Sequence, residues 1–311
     1  MSEASAKYKD RLFNYIYGSE GNKAWTLSLY NAVNGSDYRD PDAIEITTIK
    51  EVLYLGMHND VSFMISDEMN LYEQQSGYNP NMPLRQLQYA GNLYEKFIRQ
   101  NKLNKYGSTL LELPVPKLVV FYIGTNDKPD ETVLRLSDSF PEGSSPDIEV
   151  RVRMLNVNQG KNQKLLDACQ TLKEYSWLVE QIRTNKSKNK LELEEAVNNA
   201  LTNMPNEFVI KPFLMAHQAE VKGMLLTEYN EIEQMELFKE DGRREGRAEG
   251  RAEGRAEGRA EGRAEGRAEG RAEGALQTLI ELVRKGIISI KDAAAQAKMS
   301  EDAFSAKMKA L

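Results

Sequence analysis

One apolar run limits most what this chain can fold into. Lys117-Leu118-Val119-Val120-Phe121-Tyr122-Ile123 lies between Pro116 and Gly124 and is almost wholly apolar. A strand with one wet face alternates polar and apolar residues, whereas a run like this one reads as a strand buried on both faces. The elements around it agree. Residues 8–17 and 22–33 are predicted helices, the second carrying Trp25, Leu27, Leu29 and Val33 and stopping at Asn34-Gly35. Ile44–Ile49 reads as a first strand, and residues 59–65 and 69–75 as two short strands of a hairpin. Asn81-Met82-Pro83 opens a helix with an N-cap candidate and an early proline. Its predicted buried stripe is Leu84, Leu87, Gly91, Tyr94 and Ile98. Val150–Val157 is a later strand, followed by helices near 162–184, 190–203 and 207–240. This order suits a mixed sheet flanked by helices, an α/β domain. With no strand after them, the helices of 190–240 are expected to form a separate layer or stalk.

The chain divides by composition into residues 1–187, a helical extension at 188–241, a repeat at 242–274 and a small helical unit at 275–311. The repeat holds one imperfect unit and then seven copies of Gly-Arg-Ala-Glu, ending at Gly274. A glycine at every fourth place costs a helix about 1 kcal/mol relative to alanine. Arg recurs four residues from Arg, and Glu from Glu, which is mildly repulsive. The segment is therefore expected to be a flexible or weakly helical spacer. An oligomerising helix is the alternative, since small residues let two backbones approach. In the last unit Leu276, Leu279, Ile280 and Val283 form a stripe, and Ser289 and Ser300 mark turns into further helices. That outline is shared by helix-turn-helix units and by plain docking hairpins. Residues 300–311 offer only Lys307 and Lys309, against the Arg, Gln or Asn usual for base reading.

Charge narrows the function classes. The net charge is −6; residues 242–274 carry +1 and 275–311 carry +2, so residues 1–241 carry −9. Tight non-specific DNA binding needs phosphate neutralisation, so any nucleic-acid contact must be local. The single Cys169 excludes an internal disulfide and fits a reducing, cytoplasmic setting. His58 and His217 are too few and too distant for a histidine zinc site. Neither a signal peptide nor a membrane anchor is expected after Met1.

The hairpin carries the chemistry. Asn59-Asp60-Val61-Ser62-Phe63 and Leu71-Tyr72-Glu73-Gln74-Gln75 flank Ser66-Asp67-Glu68. Side chains alternate along a strand, so Glu73 and Gln75 share a face. A turn at Ser66-Asp67 pairs Asp60 with Glu73, and a turn at Asp67-Glu68 pairs Asp60 with Gln75. Both put Asp60 on the Glu73/Gln75 face, and a one-residue slip would not. Magnesium takes oxygen ligands, commonly one or two carboxylates with water and substrate phosphate. Such a metal activates water and steadies charge on a phosphodiester. A merely wet polar strand face is the plainer alternative. Arg85 lies in the first turn of the next helix, where the dipole disfavours a cation, which suggests pairing with a carboxylate or holding a phosphate. Tyr89 is one turn on. Lys96, Arg99, Lys102 and Lys105 recur every third residue and could track a phosphate backbone or form a solvated face. Glu20 is a further acidic candidate.

These residues resemble a known family. Asn59-Asp60-Val61-Ser62-Phe63, Tyr72-Glu73-Gln74-Gln75-Ser76 and Asn79-Pro80-Asn81-Met82-Pro83-Leu84-Arg85 look like the recombination-promoting nuclease / putative transposase family of the PD-(D/E)XK superfamily. Leu29–Gly35, Leu113–Lys117, Phe121-Tyr122 and Leu155–Asn158 with Asn162 add to the likeness, which covers roughly residues 8–240. The resemblance implies a restriction-endonuclease-like fold and magnesium-dependent (manganese being possible) DNA cleavage. It implies Asp60, Glu73 and the Gln74 carbonyl as metal ligands. It places Gln75 where the superfamily usually has lysine; glutamine can orient water but cannot take a proton. From their placement on the helix after the hairpin, Arg85, Tyr89, Lys96 and Arg99 are the candidate substrate contacts. The rival expectation is a nuclease-derived scaffold that serves interaction, as a homo-oligomer formed through residues 242–311.

Overall fold

The computed structural model describes residues 11–48 and 60–310, without the side chains of residues 231–236, 238, 239, 248, 252 and 256. His58, Asn59 and the end of the Ile44–Ile49 segment lie outside the described residues. Two compact units divide the chain, one up to Gln234 and one from Met235.

The first unit is mixed α/β. Six strands, β1 (Glu45–Ile46), β2 (Val61–Ile65), β3 (Glu68–Gln75), β4 (Val115–Tyr122), β5 (Glu131–Arg135) and β6 (Arg151–Asn156), form one sheet in the order β1-β2-β3-β4-β6-β5. The pairs β3/β4 and β4/β6 are parallel, and β1/β2, β2/β3 and β5/β6 are antiparallel. The apolar run is the central strand β4. Val119, Phe121 and Ile123 enter one core, and Val120 and Tyr122 the other, as burial on both faces demands. Strand β5 was not anticipated. Its exposed Glu131, Val133 and Arg135 leave only Leu134 fully buried, so it carries almost no apolar signal.

On one face lie α1 (Leu12–Tyr17), α2 (Lys23–Asn34), α4 (Gln163–Ala168) and α5 (Gln170–Ser187). Phe13, Phe121, Tyr72 and Phe63 form a run of ring contacts at 5.1, 5.3 and 5.2 Å. The helices α6 (Leu193–Thr202) and α7 (Lys211–Ala216) follow. Val197, Leu201, Ile210, Leu214, Val221 and Leu225 belong to this same core, so the helices expected as a separate layer or stalk pack on it as far as the start of the next helix.

On the other face, among the described residues, the helix is α3 (Met82–Gln100). It buries Met82, Gln86, Tyr89, Ala90 and Leu93, while Leu84 is exposed and Gly91 faces solvent. The expected stripe was therefore rotated. The helix turns a polar residue, Gln86, toward the sheet because a buried carboxylate waits there, and apolar spacing cannot show that.

The long helix α8 (Gln218–Arg284) includes the whole repeat. The segment expected as a flexible or weakly helical spacer lies within this helix. The start of α8 is seated in the core through Val221, Met224 and Leu225. The helix thus enters the repeat already nucleated, and extension is far easier than nucleation. In the second unit, Ser289 caps α9 (Ile290–Gln296) by accepting the Asp292 N–H at 3.1 Å. Ser300 precedes α10 (Glu301–Ala310) and accepts the Ala303 N–H at 3.3 Å. Ile280, Ala293, Ala294 and Phe304 make a small core of their own.

One buried carboxylate ties α7 to the sheet-packed helix α5. Glu174 is 2% exposed and accepts the Val209 and Ile210 N–H groups, each at 2.9 Å. Glu174→Ala orphans both donors and is expected to lower stability by about 2–4 kcal/mol, measured by urea unfolding through tryptophan fluorescence.

Candidate active site

The Ser66-Asp67 turn decides the register. Ile65 pairs with Glu68 and Val61 with Tyr72, so the next position sets Asp60 opposite Glu73. Ser66 takes a φ of 51°, the left-handed geometry a two-residue hairpin turn asks of its first residue. Of the two sequence-derived registers, the Asp60–Glu73 one is realised. Asp60 turns toward β3, where its Oδ2 accepts the Gln74 N–H at 2.7 Å. The parallel register sets Glu73 beside Val120 of β4, under α3.

Glu73 is 2% exposed and meets three donors. Its Oε1 accepts Arg85 Nη2 at 2.5 Å and Gln75 Nε2 at 2.8 Å, and its Oε2 accepts Gln86 Nε2 at 3.5 Å. Arg85 also donates to the Tyr89 hydroxyl at 3.1 Å. Its placement in the first turn of α3 is explained by the ion pair, which outweighs the unfavourable helix dipole. Arg11, at the start of α1, donates from Nη1 to the Gln74 carbonyl at 2.6 Å. Burial, with the Asp60 charge added, pushes the Glu73 carboxyl up to about 8, against the pull of Arg85 and Arg11. Burial and the Glu73 charge likewise push the Tyr89 phenol up.

The structure thus brings Asp60, Glu73, Gln74, Gln75, Arg85 and Tyr89 together. The other expected contacts lie elsewhere. Lys96 is 11 residues beyond Arg85, about 16 Å along the helix, and donates to the Thr47 carbonyl at 2.9 Å. Lys105 pairs with Glu95, and Arg99 stands exposed. Arg99 and Lys102 remain exposed, while Lys96 and Lys105 each have a partner within the chain. Glu20 pairs with Lys23 at 3.0 Å.

Sequence reasoning missed Arg11 and Gln86. Gln86 is fully buried, and its Oε1 has no partner among the described residues. Its position four residues before Ala90 and seven before Leu93, on the buried stripe, is the signal that could have found it. Arg11 precedes the apolar Leu12-Phe13 pair, and nothing local announces its long-range contact.

Several asparagines quoted for the resemblance hold loops. Asn31 fixes the Ser36–Tyr38 segment, with its Nδ2 on the Tyr38 carbonyl at 2.8 Å. Asn156 and Asn158 bond to each other at 2.8 Å and reach the Lys128 and Gly124 carbonyls. Gly124 lies so close to the Ser76 carbonyl that a Cβ would sit 2.4 Å from it. A cavity of about 980 Å³ lined by Asn34, Arg153 and Lys164 contains none of the candidate residues.

The donor chemistry at the hairpin suits a hard cation. Two carboxylates and one backbone carbonyl are oxygen ligands of the kind magnesium takes. Both Glu73 and the Gln74 carbonyl already draw positively charged groups. Among the described residues no cluster of three or more His, Cys, Asp or Glu is present. No family model, curated protein or solved structure matches the chain. Among the described residues no helix is long and apolar enough to cross a membrane.

The raised Glu73 carboxyl has a consequence for stability. The folded chain holds its proton up to about 8, whereas an unfolded glutamate releases it near 4.3. The folded state binds the extra proton between those values, so stability is expected to fall as pH rises from about 4 to about 8. Thermal melting of the metal-free protein against Glu73→Gln checks this: the difference between the two should change through that window and flatten above it.

Proposed function

We propose that this chain is a metal-dependent DNA endonuclease with a restriction-endonuclease-like core, acting in recombination or on mobile elements. One observation carries the reading: a buried glutamate faces an aspartate across a hairpin, with a guanidinium-attracting carbonyl beside them. Asp60, Glu73 and the Gln74 carbonyl would hold magnesium or manganese. The ion supplies an activated water and charge stabilisation at the phosphodiester.

The chain's own residues do the rest. Gln75 fixes the Glu73 carboxylate through its amide N–H, and its carbonyl oxygen is left to orient a water. It cannot remove a proton, so that proton passes to solvent. Arg85, braced by Tyr89, sits within reach of an anion at Glu73 and offers a guanidinium to the phosphate. Cleavage of plasmid DNA is expected with magnesium or manganese. In Asp60→Ala and Glu73→Ala it should drop by more than ~100-fold, beyond what loss of an outer partner costs. Intact far-ultraviolet circular dichroism shows that the fold survives. Wild-type protein inert with both ions overturns the proposal.

A second reading is a catalytically weak nuclease-derived scaffold that assembles with itself. It rests on the repeat helix, whose described side chains from Glu240 to Gly274 are all exposed. Close approach of two such helices would set Arg against Glu across a glycine seam. A chain ending at Asp241 is then expected to lose an oligomer that the full chain forms, read by light scattering. An unchanged mass per particle removes this reading.

A further inference from the structure

Arg11 has no part in the chemistry described so far, yet it occupies the position of most consequence for it. Its Nη1 lies 2.6 Å from the Gln74 carbonyl and 3.5 Å from the Gln74 Oε1. That carbonyl is the oxygen that joins Asp60 and Glu73 in the proposed three-ligand set. The same residue is also held through its N–H, which Asp60 Oδ2 accepts at 2.7 Å. The positive charge of Arg11 acts on both Glu73 and Arg85. Two carboxylates are therefore faced by two guanidiniums in the metal-free chain.

We propose that Arg11 is an internal counter-cation that occupies the metal's carbonyl ligand and must leave it when a divalent ion binds. The inference rests on the metal reading of Asp60, Glu73 and Gln74. A guanidinium and a divalent cation cannot share one carbonyl lobe at short range, and their like charges repel. The backbone of Arg11 need not move. Leu12 and Phe13, the next two residues, are fully buried, so α1 is pinned while the arginine side chain swings about its own bonds. Arg85 differs from Arg11 in this respect: it bonds the Glu73 carboxylate, which has a second oxygen to offer an ion. Arg11 competes for the only oxygen its partner peptide presents. The device sets a positive charge beside the Asp60–Glu73 pair before the ion arrives, and it sets the threshold of ion concentration at which the site assembles. Arg11 is thus a positioning residue, acting through the ligand set rather than on substrate.

Binding of manganese alone to the full chain, without DNA, tests this by electron paramagnetic resonance or calorimetry. Arg11→Ala is expected to bind manganese about tenfold more tightly than wild type, as removal of one close like charge implies. It should also melt lower without metal and gain more on saturation, since tighter binding stabilises more. Arg11→Lys, which keeps the charge, should stay near wild-type affinity, and Asp60→Ala should bind poorly. Should Arg11→Ala not fold, Arg11→Gln carries the same expectation of tighter binding. Equal or weaker manganese binding in folded Arg11→Ala or Arg11→Gln overturns the inference while leaving the metal site standing. Folded wild type and folded variants that all fail to bind manganese overturn both.

Discussion

The register of one hairpin carries the rest of the site. Because side chains alternate, a two-residue turn at Ser66-Asp67 commits every residue of β2 and β3 to a face. Val61, Phe63 and Tyr72 go to the aromatic core, and Glu73 and Gln75 go under α3. A slip of one residue would drive a carboxylate into the rings of Phe63, Tyr72 and Phe121 and bring apolar groups out. Burial of those rings therefore holds the carboxylates in place, and the polar site is a by-product of a well-packed opposite face.

A second constraint follows from burying a carboxylate at all. Removal of Glu73 from water is costly unless donors surround it. The structure answers with Arg85, Gln75 and Gln86, and it recruits α3 to deliver two of the three. This is why α3 turns Gln86 rather than Leu84 toward the sheet. Such a concentration of donors around one acid rarely serves stability alone, since an apolar replacement of like volume often packs as well. The proposal of a metal-binding role gives the arrangement a purpose, and the opposed guanidiniums of Arg11 and Arg85 give the metal-free chain a way to tolerate it.

The repeat follows a different logic. Gly-Arg-Ala-Glu has poor intrinsic helix propensity, yet it continues a helix begun by core-packed residues. Local propensity is overridden by a nucleus formed upstream, at Val221, Met224 and Leu225. The small core of the last residues closes on Phe304 and Ile280, in line with the apolar spacing and the serine caps.

What could be read from the chain alone was whatever a local pattern encodes. The two-sided burial of β4, the hairpin with Asp60 and Glu73 on one face, the helix opened at Asn81-Met82-Pro83, and the Arg85–Tyr89 pairing all depend on periodicities of two or 3.6 and on short-range geometry. The choice between the two hairpin registers, the rotation of α3, the reach of Arg11 across 63 residues to Gln74, and the diversion of Lys96 to Thr47 belong to the tertiary structure alone. The last two are long-range contacts between polar groups, the first two depend on what packs against each face, and no sequence spacing records either.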